Sequence, residues 1–250
     1  MAYNFKESKK RIIKILQDKT PIQEVETFPK EDSSNFSFKN GIRSWVGAIF
    51  IDIVSASELF KEEKDEKVAR ILRAYTSEIV DILNDDSSNV RQIGIRGDCV
   101  YAIYSAQYKE DLVDIFRRAY RINTMMKMFN ILLKNNGFPQ VEAGIGLGAN
   151  KDLIIKAGKP QIMNDLVWIG DSVVDASNLS NIANRKGFGA IAINELFYEN
   201  IIEELTNENE KYQIWIKRHK KDYYSSGIDF YHCDIIQTDF NDWIDQGMNM

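Results

Sequence analysis

The chain has 250 residues, 44% hydrophobic and 28% charged, with a formal net charge of −5. That composition suits a globular protein with enough chain for one sizeable α/β domain and short terminal additions. The acidic balance offers no general attraction to nucleic acid, so no nucleic-acid binding is expected. Cys99 and Cys233 have neither metal-ligand spacing nor the pattern of a disulfide scaffold. No apolar run reaches bilayer length and the N-terminus lacks a signal core, so the expectation is a cytoplasmic location without direct membrane insertion.

In chain order, residues 5–18 read as a short amphipathic helix, packed on the domain or on a partner chain. Residues 19–44 are polar, interrupted by Pro21 and Pro29, and read as an extended arm. The run from Gly47 to Val54 is mostly β-branched or aromatic, the composition of a buried central strand. Near its end stands one carboxylate, Asp52, for which burial demands a metal or a cationic partner. The small-residue turn Ser55-Ala56-Ser57 leads into a helix over 58–84, and backbone N–H groups at such a turn can cradle phosphate.

Residues 90–104 read as a hairpin around Gly97-Asp98. A long helix follows over 108–134, with its methionines as core filling. The glycine-alternating strand 141–148 permits close approach of another strand or a ligand, and 152–157 is expected to pair with it as a hairpin. A strand ending at Gly170 leads into a helix through about Asn184, capped by Asp171 or Ser172. A strand at 190–193, a helix at 195–205, strands at 212–216 and 228–231, and a docking helix in the tail complete the expected elements. The basic run Lys217, Arg218, Lys220 and Lys221 reads as a solvated face or a contact for a phosphate tail.

If the hairpin lies beside the first strand, Asp52 and Asp98 can share divalent metals next to the phosphate cradle, the parts of a phosphoryl-transfer site. The plainer alternative leaves Asp98 as a turn residue. The order of these motifs resembles the class III nucleotidyl cyclase catalytic domain over roughly residues 45–195. Phe50-Ile51-Asp52-Ile53-Val54-Ser55 is similar to its first metal-binding strand, Gly97-Asp98 to its second metal position, and Ile169-Gly170-Asp171-Ser172-Val173 to the lead into its transition-state helix.

The resemblance implies an α/β sandwich on a ferredoxin-like βαββαβ core, with an N-terminal helix and arm over 1–44, a catalytic domain over 45–233 and a tail or docking helix over 234–250. It implies a head-to-tail homodimer with shared active sites. Asp52, Asp98 and the carbonyl of Ile53 would hold two Mg²⁺ or Mn²⁺ ions, and amides from Val54 to Ser57 would hold terminal phosphates. The ribose 3′-hydroxyl would attack the α-phosphorus and expel pyrophosphate.

The purine-reading positions of that family correspond here to Gly94 and Val167, which carry no polar side chain. Arg96 and Trp168 offer a different base pocket, although Trp168 also suits a core role. The pattern looks like the bacterial pyrimidine cyclases of antiphage defence. It implies conversion of UTP to 3′,5′-cyclic UMP, a messenger for a separate effector; alternatives are cyclic CMP from CTP and a silent nucleotide-sensing domain. The family's transition-state Asn and Arg align with Val174 and Asn178. Asn178 and Arg185 are the candidate pair, Arg185 replacing the missing charge from farther along the helix with Asn181 one turn earlier, and Arg96 or Lys217 as other sources of charge.

Overall fold

The computed structural model describes residues 3–29, 36–85, 88–159, 162–220 and 229–249. Among the described residues nine strands form one sheet. The first three are β1 (Ile22–Glu24), β2 (Gly41–Ile53) and β3 (Val90–Arg96), followed by β4 (Cys99–Ser105), β5 (Ala143–Lys159) and β6 (Met163–Ile169). The last three are β7 (Ile191–Asn194), β8 (Lys217–His219) and β9 (Phe230–Cys233). The helices are α1 (Phe5–Gln17), α2 (Ala56–Glu62), α3 (Asp65–Asn84), α4 (Lys109–Asn135), α5 (Asp171–Ser180), α6 (Glu195–Glu208), α7 (Tyr212–Trp215) and α8 (Thr238–Asp245).

The strand order β3-β4-β2-β5 with helices α3 and α4 between them is the ferredoxin-like βαββαβ arrangement; β7, β9 and β8 extend the sheet beyond β5. β2 is central, antiparallel to β4 on one side and to β5 on the other. Its odd-numbered Ile49, Ile51 and Ile53 are buried in the main core with Tyr75 and Ile79 of α3 and Phe116 and Ile122 of α4. The other face carries a smaller cluster of Phe28, Ile42, Val46, Ile103 and Ile154, and α5 lies over β5 there.

Several elements differ from the sequence reading. The central strand starts at Gly41, and Ile22–Glu24 pairs with it, so part of the expected arm belongs to the sheet. Residues 141–148 and 152–157 form no hairpin. β2 pairs with β5 along all 13 residues of its length, which holds β5 as one 17-residue strand, and the reversal comes after Lys159. Tyr212–Trp215 is a helical turn, because the Tyr212 and Ile214 amides donate back to the Asn209 and Lys211 carbonyls; the strand begins at Lys217. The expected strand at 228–231 is Phe230–Cys233, between β7 and β8; Ile228, like Lys221 of the basic run, lies outside the described residues.

The glycines of β5 approach a helix. A Cβ on Gly144, Gly146 or Gly148 would fall closer than 3.0 Å to backbone atoms of Ser180, Ala176 or Ser172, so α5 rests directly on the strand. The N-terminus of α5 is capped from β5: buried Asp152 accepts the Ser172 hydroxyl, and a Cβ on Gly170 would collide with the same carboxyl group. α5 stops at Ser180, short of the expected end near Asn184, where the chain turns with Asn184 at φ 57°.

This contact is testable. Gly146→Ala forces a methyl into the Ala176 carbonyl and should cost about 1–3 kcal/mol of stability, as overpacking does elsewhere. Calorimetry should show a lowered thermal midpoint, and an unchanged one would refute the backbone-to-backbone approach.

Candidate active site

Strand alternation assembles the site. With Ile49, Ile51 and Ile53 turned into the main core, Phe50 and Asp52 face the opposite side of β2. Along the β3–β4 hairpin, Gly94 stands opposite Tyr101 and Arg96 opposite Cys99, while Tyr101 also pairs with Phe50 across β2. β6 and α5 complete a cavity of about 850 Å³ lined by Phe50, Asp52, Gln92, Arg96, Cys99, Tyr101, Val167, Trp168, Val174 and Asn178, among others.

At one end stand the acids. Asp98 is half-buried in the tight turn after Gly97, which takes the left-handed φ of 66° such a turn needs. Asp52 is half-buried, and its pKa is raised above the usual aspartate range first by desolvation and then by the charge of Asp98. The Arg185 guanidinium offsets this: Nη2 donates to Asp52 Oδ2 at 3.2 Å and lies 3.4 Å from the Ile53 carbonyl oxygen. Nη1 donates to the carbonyls of Ser180 and Ala183, at 2.8 and 3.1 Å. Arg185 is therefore not on the helix, where the sequence reading had it, but in the turn beyond, tying the end of α5 to the end of β2.

A cation thus already rests on two of the three oxygens expected to bind metal. Two carboxylates and a carbonyl are hard oxygen donors, and Mg²⁺ is commonly held by one or two carboxylates with waters and substrate phosphates filling the remaining positions. Among the described residues, no group of three or more His, Cys, Asp or Glu gathers to form a closed cage. The donors fit a divalent ion whose coordination a triphosphate completes. The Cys99 thiol nearby is pushed up to about 12 by burial and by both aspartates, so it is no nucleophile at neutral pH.

At the other end, Gly94 has a specific reason. A Cβ there would lie within 2.6 Å of Tyr101 ring atoms, so the missing side chain lets the phenol fold across the strand. Tyr101 stacks on Phe50, with centroids 5.1 Å apart and planes at 13°. Trp168 lines the cavity, but it also packs edge-on against Phe28 at 5.2 Å and donates its indole N–H to Gln92 Oε1 at 2.7 Å. Trp168 thus both lines this cavity and packs against the smaller core cluster.

Other expected contacts separate. The Val54 amide donates to the Glu142 carbonyl at 2.8 Å, which withdraws it from the phosphate-binding run expected over 54–57. Ser55 takes a left-handed φ of 57°, and Ala56 and Ser57 open α2 with first-turn amides that have no intrahelical acceptor. Lys217 is not brought to the cavity. It lies on β8, at the opposite end of the sheet from β3, and lines a separate cavity with His232 and Trp215. Gln92 and Tyr101 escaped the sequence reading. Gln92 carried a signal, since it shares strand parity with Gly94 and Arg96; placing Tyr101 required the hairpin register.

The fold is that of class III nucleotidyl cyclases. The crystal structure of the adenylyl cyclase CyaB from P. aeruginosa superposes with a TM-score of 0.62 at 19% identity, covering 80% of this chain and 98% of that one. The uridylate cyclase of Treponema porcinum is 40% identical over 250 residues, 99% of this chain and 83% of the relative. That of Gulbenkiania mobilis is 32% identical over 219 residues, 84% of each. No family model matches. The chain belongs to the uridylate cyclase family of class III nucleotidyl cyclases.

The Arg185 bridge separates two substitutions. Arg185→Ala strips a cation from Asp52 and a donor from the end of α5, and should cost about 1–3 kcal/mol in metal-free buffer. Asp52→Asn removes a carboxylate whose ionised form is disfavoured by the fold, so its thermal midpoint should stay level or rise at neutral pH. An unchanged thermal midpoint in Arg185→Ala would refute the bridge.

Proposed function

We propose that the chain converts UTP to 3′,5′-cyclic UMP and pyrophosphate. The observation that carries this reading is the 40% identity to a uridylate cyclase along 99% of the chain. It is supported by the cavity that Tyr101 and Phe50 narrow where a purine-reading side chain would otherwise stand.

In this reading Asp52, Asp98 and the Ile53 carbonyl hold the divalent ions. Bound Mg²⁺ or Mn²⁺ supplies the positive charge that activates the 3′-hydroxyl and neutralises the triphosphate. The 3′-oxygen attacks the α-phosphorus, a new P–O bond forms, the bridging bond to the β-phosphate breaks, and the hydroxyl proton leaves to solvent. The amides of Ala56 and Ser57 at the start of α2, beside left-handed Ser55, receive the terminal phosphates. Asn178, on α5 at the cavity wall, donates to oxygens of the reacting phosphate. Arg185, which lies against Asp52, would turn its charge to the phosphates where metal ions took its place on that carboxylate. The base lies against Phe50 and Tyr101, near Arg96, Val167 and Trp168.

Exposed apolar side chains lining this cavity, Ile95, Val167 and Val174, support a homodimer whose two copies share their sites. Among the described residues no helix is long and apolar enough to cross a membrane. The cyclic product then acts as a diffusible cytoplasmic messenger for a separate effector in antiviral defence.

The test is incubation with UTP, CTP, ATP and GTP in turn with Mn²⁺, and mass spectrometry of the products. Cyclic UMP should dominate; absence of any cyclic product, or another cyclic nucleotide as the main one, would overturn the reading. Asp52→Asn and Asp98→Asn should each lower turnover by on the order of 10²–10³-fold or more, the scale seen when a single electrostatic group is removed from an active site. Sedimentation in the presence of nucleotide should show a dimer, and a monomer at working concentration would remove the shared-site arrangement.

A further inference from the structure

We propose that Gln92 selects uracil over cytosine, with Trp168 as the positioning residue that fixes which end of its carboxamide faces the base. The inference rests on the pyrimidine cyclase reading and adds to it a residue and a chemical rule for discrimination.

A glutamine side chain is ambiguous alone, since its amide can present a carbonyl or an NH₂ group by rotating half a turn. Here the rotation is blocked. Trp168 Nε1 is 2.7 Å from Gln92 Oε1, and an indole N–H is only ever a donor, so the atom facing it must be the carbonyl oxygen. The indole is itself held, because it packs edge-on against fully buried Phe28. The Phe28 backbone is fastened to the sheet at both groups: its N–H donates to Ser105 Oγ at 2.9 Å and its carbonyl accepts from Arg91 Nε at 2.7 Å.

With its oxygen turned to the indole, the carboxamide presents its NH₂ end on the other side. One hydrogen is directed to Tyr101 Oη, 3.3 Å away, and the other remains for the cavity that both residues line. Gln92 lies on the same strand face as Gly94 and Arg96, and Arg96 is likewise only a donor. The polar edge offered to a base by β3 is therefore all N–H. The O4 and O2 atoms of uracil accept hydrogen bonds. Cytosine replaces O4 with an amino group, which sets donor against donor and leaves a buried group unpaired. Discrimination built this way is worth roughly 10- to 100-fold.

The experiment compares wild type, Gln92→Glu and Trp168→Phe for UTP and CTP, reading the ratio of kcat/KM. In parallel, calorimetry measures binding of 3′-deoxy-UTP and 3′-deoxy-CTP, which lack the attacking hydroxyl and so report base choice without turnover. Gln92→Glu keeps an acceptor for the indole and offers an acceptor to the base, so the UTP:CTP ratio should fall at least about tenfold, towards CTP. Trp168→Phe keeps an aromatic ring but removes the N–H, freeing the amide to turn, and should move the ratio the same way by a smaller factor. Thermal midpoints show whether each variant is folded, and a merely structural role for the pair would lower both nucleotides alike.

A ratio within twofold of wild type in both variants, in binding and in turnover, would overturn the proposal. So would a wild type with no preference between the two deoxy analogues. Failure of the cyclase reading looks different: wild type yields no cyclic UMP, while the binding preference and its response to Gln92→Glu persist.

Discussion

A carboxylate at the inner end of a buried strand is costly unless something positive lies against it. Asp52 is in that position, desolvated by the sheet around it and repelled by Asp98. The answer is Arg185, whose guanidinium covers both Asp52 and the adjacent carbonyl while holding the end of α5. The same oxygen donors suit a divalent ion with a triphosphate behind it. The electrostatic demand of one side chain thus joins the sheet, the helix beyond it and the chemistry.

That junction depends on how closely α5 approaches. Three glycines in alternate positions of β5 remove every side chain between strand and helix, so the helix backbone lies on the sheet. Asp152, buried beneath, caps the first turn. Asn178 is thereby carried to the cavity wall and the chain after Ser180 is aimed at Asp52. Close packing here sets the geometry of the site rather than serving stability alone.

The base end works by subtraction. The absence of a side chain at Gly94 admits the Tyr101 ring, which stacks on Phe50 and takes up space in the pocket. Two donor-only groups, the Trp168 indole and the Arg96 guanidinium, then dictate the polarity of what remains, one by orienting Gln92 and the other directly. Selectivity for a small base and for acceptor atoms can thus come from what the pocket excludes.

The amino-acid order alone determined a good deal. β-Branched composition marked the strand carrying Asp52, and glycines marked the turns near 97 and 170, because such preferences are local in the chain; the ferredoxin-like core and the family came through the resemblance that the order of these motifs carries. The tertiary structure decided what depends on distant partners. The length of β5 was set by pairing with β2, the role of Gly94 by a tyrosine on the next strand, and the separation of Lys217 by the order of strands across the sheet. The sequence had supplied Arg185 as a charge on a helix; only the fold showed a turn residue bridging to Asp52 from 133 positions away. A side chain's partner across a sheet is fixed by register and strand order, and neither is written in its neighbours.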